Sequence, residues 1–149
     1  MALNPEYVGR VHGPSEPYEV SRVKIADFAD AIGEPSELCR DRDAAVKAGY
    51  PDVIAPPTFA IVVSLRHAHE LHDDPGLGLD YSMVVHGEQS FRHSRPLHAG
   101  DIVTATTTVD SIRHVGGLSM LVTSTELATV DGEHVCTAKS MLVERGADS

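Results

Sequence analysis

The hydrophobic period of the chain changes at Tyr81, and this change limits the folds that the chain can adopt. Before Tyr81 the apolar residues recur at helical spacing, and after it they alternate with polar residues as in strands. The segment 59–71 is apolar almost all round, which is typical of a helix that is buried on most faces. The sequence therefore predicts a sheet that packs around one buried helix.

Capping residues predict where the shorter helices begin and end. Ser21 is a candidate N-cap, and Gly33 is placed to end the same helix at the C′ position. Asp41 is a candidate cap for a second, short helix over residues 42–48. The first helix has one apolar face at i, i+3, i+4 and i+7, formed by Ile25, Phe28, Ala29 and Ile32.

Four long strands are predicted after Tyr81. They cover residues 84–95, 101–112, 120–130 and 134–144. Gly116-Gly117 marks a turn, and Asp131-Gly132 is the usual signal for a two-residue hairpin. A meander of four strands around one helix is an α+β fold with hot-dog architecture. We expect a single domain over residues 1–149, with its core at about 7–143.

Composition and cysteine usage exclude several classes of partner and location. The 12 basic and 22 acidic residues give a formal net charge of −10, which argues against nucleic acid and anionic membranes as partners. The apolar stretch 53–65 is broken by Pro56 and Pro57 and is shorter than the roughly 20 residues of a membrane span, so no membrane insertion is expected. No signal peptide is recognised, and Cys39 and Cys136 lack metal or redox spacing, so we expect reduced thiols in a cytoplasmic protein.

Three histidines near the end of the buried helix raise the question of a metal site. His67 and His69 point to nearly opposite sides of a helix, and nothing supplies a third ligand to His69 and His72. We therefore expect a polar helix end near the surface and no metal site. Neither a G-x-S-x-G nor a G-x-G-x-x-G motif is present, so triad hydrolysis and nucleotide cofactors are not expected.

Four segments in a fixed order carry a resemblance to a known family. They are residues 33–41, the helix opening Val53-Ile54-Ala55-Pro56-Pro57-Thr58-Phe59, the run Val85-His86-Gly87-Glu88-Gln89-Ser90-Phe91, and Arg95-Pro96-Leu97-His98-Ala99-Gly100-Asp101. Together they resemble the MaoC-like hot-dog dehydratases and R-specific enoyl hydratases. The similarity is greatest to their N-terminal-type, FAS1-like dehydratase domain, and it implies the hot-dog fold, usually as a dimer.

The resemblance implies reversible addition of water across a 2-enoyl thioester, without a cofactor. In catalytic members an Asp-x-Asn-Pro-x-His segment moves the protons, and a backbone N–H from a His-Gly pair polarises the thioester carbonyl. Here the aspartate and histidine positions fall on Glu34 and Cys39, and Pro56-Pro57 replaces His-Gly. Proline has no backbone N–H, so position 57 lacks the donor.

These departures favour a subunit that binds the acyl chain beside a catalytic MaoC-like partner, in a (3R)-hydroxyacyl thioester dehydratase acting on acyl-CoA or acyl-ACP. His86 and Glu88 are expected to shape the interface or the pocket mouth. Plain core packing is the competing interpretation of Val62 and Val63. The residues expected to contact the acyl chain are Pro57, Thr58, Phe59, Val62 and Val63.

Three alternatives stay open. The chain is also interpretable as a homodimeric enoyl-CoA hydratase in which Glu34 and His86 form a relocated acid/base set. It is interpretable as well as a binder of acyl thioesters without activity. Thioesterases share the fold but lack the Pro-Pro helix opening and the His-Gly-Glu-Gln run.

An acidic carrier protein would require a basic patch, for which the candidates are Arg66, Arg92, Arg95 and Arg113.

Overall fold

A six-stranded sheet curls around the longest helix in the computed structural model, which describes residues 2–146. The helices are α1 (Arg22–Ile32), α2 (Arg42–Lys47) and α3 (Ala60–His72). The strands are β1 (Val11–His12), β2 (Tyr18–Glu19), β3 (Val84–His93), β4 (Ile102–Val115), β5 (Leu118–Thr129) and β6 (His134–Arg145). The expected α+β hot-dog architecture is confirmed.

The helix ends follow the predicted caps. Ser21 Oγ accepts the N–H of Lys24 at 3.1 Å, and Asp41 caps α2 in the same manner. Gly33 ends α1 in the left-handed conformation, with φ at 72°. A short 3-10 turn, Pro57–Phe59, leads into α3. These local signals predicted the helices because each cap satisfies backbone groups that the helix itself leaves unpaired.

The strand order is β1-β4-β5-β6-β3, and β2 also pairs with β4. The predicted meander is therefore right for β4 to β6 and wrong for β3, which pairs with β6 instead of β4. The physical reason is the connection from β3 to β4, residues 94–101. This connection is longer than a hairpin loop of about two to five residues. It can therefore cross the sheet, so that β4 is not placed beside β3.

The two predicted turns differ in kind. Gly116 and Gly117 form the two-residue turn between β4 and β5, and both have positive φ, 56° and 80°, as the favoured hairpin turns require. Asp131-Gly132 lies instead in a longer loop over residues 130–133, which the bond from Thr129 N–H to the Glu133 carbonyl closes at 2.8 Å. The two-residue hairpin expected there is wrong.

Helix α3 is buried on most faces, as its composition predicted. Only Arg66, His69 and Glu70 are exposed along it. Phe59, just before α3, is fully buried and meets Phe28 of α1 edge to face, with ring centroids 5.4 Å apart. The helix thereby forms the centre of the core that the sheet encloses.

The expectation of a polar, surface-exposed end to α3 is wrong for two of its histidines. His67 and His72 are 5% and 6% exposed, whereas His69 is exposed. The sheet and the N-terminal segment cover this end of the helix, and His67 Nε2–H donates to the His12 carbonyl at 3.0 Å. Sequence periodicity on one helix does not reveal such a cover from a distant segment.

No helix in residues 2–146 is long and apolar enough to cross a bilayer. Cys39 and Cys136 are both buried, and they are not joined by a disulfide.

Candidate functional site

The loop after α1 holds the two residues that match the acid/base positions of catalytic relatives. Glu34 N–H donates to the Ala29 carbonyl at 2.8 Å, and Glu34 Oε1 accepts the N–H of Ser36 at 3.0 Å. Cys39 is 4% exposed; burial, and then the charge of Glu34, raise the pKa of its thiol. The loop therefore brings the two positions together, but it supplies a carboxylate that accepts a backbone amide and a buried, protonated thiol.

The start of α3 is the second part of the candidate site. Pro57 has no N–H, and its carbonyl accepts a hydrogen bond from His93 Nε2–H at 2.8 Å. Pro57 and Thr58 are exposed. Thr58 supplies the first backbone N–H after the two prolines, one position later than the glycine donor of catalytic relatives.

His93 is a residue that the sequence did not single out. Besides its bond to Pro57, its Nε2 lies 3.8 Å from Cys136 Sγ, and its Nδ1 is buried without a hydrogen-bond partner in residues 2–146. Only the pairing of β3 with β6 brings these residues together at the start of α3, and no local motif announces that pairing.

His86 and Glu88 flank a β-bulge in β3 and are both exposed. His86 Nε2 lies 3.1 Å from Gln89 Oε1 and 3.3 Å from Ser140 Oγ. Glu88 lines a cavity of about 490 Å³ on the outer face of the sheet, together with Arg113 and Lys139. The two residues differ in their side of the sheet: His86 pairs with the buried Leu142, and its contacts Gln89 and Ser140 line a small cavity together with residues of α3.

Glu34 and His86 are held by different elements. Within the described part of a single chain, no hydrogen bond or ion pair joins them. Their role as an acid/base set therefore stays a prediction about two associated chains.

The residues predicted to contact the acyl chain are divided between core and cavity. Phe59 is enclosed by the core, and Val62 packs against the same cluster. Val63 is 3% exposed and lines a cavity of about 390 Å³ between α3 and residues 15–19. Val63 also belongs to the core cluster, so core packing accounts for Val63 as it does for Val62, and their contact with an acyl chain stays a prediction.

The segment Arg95–Asp101 has a structural role. Asp101 is buried and accepts two bonds from Arg95, at 2.8 and 2.9 Å, and one from His98 N–H at 2.9 Å. Burial on its own raises the pKa of Asp101, but the bonds from Arg95 and His98 outweigh it and leave the pKa below its usual range. Arg95 also bonds Glu133, so it ties the β3–β4 connection to the β5–β6 loop.

The four candidate basic residues lie on different elements. Arg95 is engaged by Asp101, and Arg66 lies on α3. Arg92 lies on β3 and Arg113 on β4. Across residues 2–146, no three His, Cys, Asp or Glu side chains are grouped as metal ligands would be.

Comparisons with known proteins agree with the architecture. The family model for the FAS1-like, dehydratase domain region matches residues 6–138. A protein from Thermobifida fusca that is named UPF0336 protein is 55% identical over 146 residues, which are 98% of this chain and 96% of the relative.

Solved structures are similar over nearly the whole chain. A MaoC-like dehydratase superposes with a TM-score of 0.87 at 27% identity, over 95% of this chain and 43% of that one. A chain of the C-terminally truncated HadBC (3R-hydroxyacyl-ACP dehydratase) complex from Mycobacterium tuberculosis superposes with a TM-score of 0.83 at 24% identity, over 92% of this chain and 96% of that one.

Proposed function

The chain belongs to the FAS1-like dehydratase family of MaoC-like hot-dog proteins, and we propose that within it the chain is the acyl-chain-binding subunit of a (3R)-hydroxyacyl thioester dehydratase. A MaoC-like partner would supply the aspartate and histidine that move protons. The substrate would be an acyl thioester of CoA or of acyl carrier protein.

The proline at position 57 is the observation that carries this proposal. Hydration of an enoyl thioester places negative charge on the carbonyl oxygen, and a backbone N–H at a helix start is well placed to stabilise that charge. Pro57 cannot donate, and its carbonyl already accepts from His93. Glu34 accepts the Ser36 amide, and Cys39 is buried, so the loop after α1 supplies no ready acid/base pair at these two positions.

Two comparisons support a partner subunit. The HadBC structure is, by its name, a complex with (3R)-hydroxyacyl-ACP dehydratase activity. This chain covers 43% of the MaoC-like dehydratase chain, as one half of a two-part unit would.

Strand β3 is the edge at which we expect the partner to bind. It lies at one end of the sheet order, so one side of its ten residues has no neighbouring strand in residues 2–146. Val85 in this strand is 48% exposed. A long edge strand of this kind is an open template for pairing with a second chain.

We further expect the assembly in the cytoplasm, which the unbridged Cys39 and Cys136 support.

Co-expression with a MaoC-like protein of the same organism that carries an intact Asp-x-Asn-Pro-x-His segment tests the proposal. We expect the two chains to co-purify and to hydrate a trans-2-enoyl-CoA, and the chain alone to show no turnover. In the complex, Glu34→Gln should leave kcat within about twofold, whereas His→Ala in the partner's segment should abolish turnover.

The other outcomes separate the alternatives. Turnover by the chain alone that Glu34→Gln or His86→Gln removes would establish the homodimeric hydratase instead. Turnover by the chain alone that survives both variants would contradict both interpretations. Acyl-CoA binding without turnover in either preparation would identify a non-enzymatic binder.

A further inference from the structure

The free edge of β3 presents the backbone groups of every second residue. Ser94 N–H donates to the Val135 carbonyl of β6 at 2.9 Å, and the pairing of β3 with β6 is regular from Glu88 onward. Hydrogen-bonding direction alternates along a strand, so the even-numbered residues from Glu88 onward also bond β6. The side without a neighbouring strand in residues 2–146 receives the N–H and C=O groups of Gln89, Phe91 and His93.

Two opposite charges lie on the outer face of this strand. Side chains alternate between the faces, and Phe91 packs against the core, so Glu88 and Arg92 both point away from it. Both side chains are exposed, and neither takes part in an ion pair within the described part of the chain. A second strand at this edge would therefore meet one acidic and one basic side chain, with Ser90 midway between them.

The spacing of these charges is self-complementary. If two copies of β3 pair antiparallel about a two-fold axis at Ser90, Glu88 of each copy lies opposite Arg92 of the other. Gln89 then lies opposite Phe91 of the second copy, and both carry free backbone groups that can bond. An axis at Gln89 or Phe91 would leave the two charges without opposite partners. An axis at Glu88 or Arg92 would place like charges opposite each other.

The position of the charges in the strand pair increases their effect. Even-numbered residues are not bonded to the second copy, and side chains at such positions approach more closely than at bonded positions. Opposite charges directly across a strand pair stabilise it, and like charges destabilise it. The two-fold axis also makes each contact twice. The charges on Glu88 and Arg92 therefore favour one register and a second copy of β3 as the occupant.

We propose that the free edge of β3 pairs antiparallel with β3 of a second copy of this chain, in the register that places Glu88 opposite Arg92. This inference goes beyond the proposed function, which concerns the complex with the MaoC-like partner. Because β3 has one free side, the second copy and the partner exclude each other there. The chain without its partner is thus a symmetric dimer, and the complex forms by exchange of one copy for the partner. Self-association stands without the proposed function, and only the competition rests on it.

Sedimentation equilibrium of the full chain tests the charge pairs through the dimer dissociation constant. Glu88→Arg and Arg92→Glu should each raise this constant at least about tenfold, because two attractive pairs become repulsive. The double variant exchanges the charges and should return to within about threefold of the unaltered chain. An equimolar mixture of the two single variants should form a mixed dimer, since opposite charges then face each other again. Misfolded variants would not regain association on mixing.

Glu16→Arg and Arg113→Glu are the matched controls. They change the net charge by the same amounts as the two edge variants, and both residues are exposed. Glu16 lies outside the helices and strands, and Arg113 lies on β4. Both controls should keep the dissociation constant within about threefold, since isolated surface charges contribute little.

Ser90→Cys tests the register. An axis at residue 90 places its Cα about 4.5 Å from the same atom of the second copy, which a disulfide can span. Mild oxidation should therefore give a covalent dimer, whereas Lys139→Cys on β6, away from the edge, should give none. The native Cys39 and Cys136 are buried. The linked dimer should not bind the MaoC-like partner until it is reduced.

A chain that is monomeric at every concentration in the sedimentation range overturns the inference and leaves the proposed function standing. A dimer that tolerates both edge variants, or that Ser90→Cys does not link, also overturns it. Binding of the partner to the linked dimer overturns the competition between the two. Failure of the unaltered chain to bind the partner, with the dimer behaving as described, overturns the proposed function and leaves self-association standing.

Discussion

His72 is buried against Tyr81 and His69, with ring centroids 5.7 and 6.0 Å away. Burial, and then the charge of His69, lower its pKa to about 4, and Asp73 opposes this shift only weakly. Its Nδ1 has no hydrogen-bond partner in the described chain. The imidazole is therefore neutral in the folded protein at pH values where the unfolded chain already binds a proton.

This difference predicts acid sensitivity. Because the pKa rises from about 4 in the folded state to the ordinary 6.5 on unfolding, the folded state loses stability as the pH falls from 6.5 towards 4. From neutral pH to about pH 4.5, the free energy of unfolding should fall by about 2–3 kcal/mol more in the unaltered protein than in His72→Gln. Urea titrations of both proteins at the two pH values measure this difference in the free energy of unfolding. The control His114→Gln, at an exposed histidine whose charge does not act on His72, should behave like the unaltered protein, and identical pH dependence in His72→Gln would contradict the prediction.

The sequence predicts those properties of a residue that belong to its own side chain, but not those that depend on distant segments. Pro57 was recognisable as unable to donate because that property belongs to proline itself. The burial of His67 depends on the packing of His12 against α3, and the position of His93 depends on the pairing of β3 with β6. Such long-range contacts leave no mark in the local pattern, so the burial of His67 was mispredicted and His93 was missed.

At the scale of elements, the end of α1 depends on one glycine. Gly33 has φ at 72°, and a Cβ built on it has no other atom within 4 Å. Gly33→Ala should therefore cost only the backbone strain, about 1 kcal/mol of unfolding free energy. Gly33→Asn should cost less, since asparagine tolerates this conformation better. Urea denaturation checks both, and an equal cost for the two variants would argue against backbone strain as the cause.

The connection between β3 and β4 depends on the buried carboxylate of Asp101. Asp101→Ala leaves Arg95 without its main partner, and Arg95 is itself only 27% exposed. We expect a loss of about 2–4 kcal/mol of unfolding free energy, at the lower end if water reaches the freed guanidinium. Glu133→Ala removes the exposed partner of the same arginine and should cost at most about 1 kcal/mol. Thermal or urea unfolding measures both variants. An equal loss of unfolding free energy in Asp101→Ala and Glu133→Ala would contradict a dominant role for Asp101.

Helix ends and turns whose backbone groups are paired by neighbouring residues were predictable. Strands whose position depends on other strands of the sheet were not. The caps at Ser21 and Asp41 and the glycine pair at 116–117 act locally, and each was found in the structure. Strands β1 and β2 have two residues each, which is too short for a period to show. The neighbour of β3 is decided by the whole sheet rather than by the strand.

For the whole molecule, association through β3 is the main expectation. A lysine at Val85 would place a charge on the free edge strand, and charged side chains are a common device against edge pairing. Val85→Lys should therefore weaken association with the MaoC-like partner at least about tenfold. Light scattering and co-purification measure it. Val23→Lys on α1, where the valine is 71% exposed, is the control and should leave the complex intact. Unchanged association in Val85→Lys would exclude this edge.

The sheet order also bears on how the protein is made. Strand β6 lies between β5 and β3, although it is the last of the four long strands to leave the ribosome. Until residues 134–145 have emerged, β3 lacks β6, the one strand it pairs with in the described chain, and it stays unpaired during the synthesis of β4 and β5. The edge proposed to receive the partner is thus completed late, over loop closures that are slow compared with local turns. Capture of the partner should accordingly follow the emergence of β6, and a nascent chain that stops before β6 should not capture the partner.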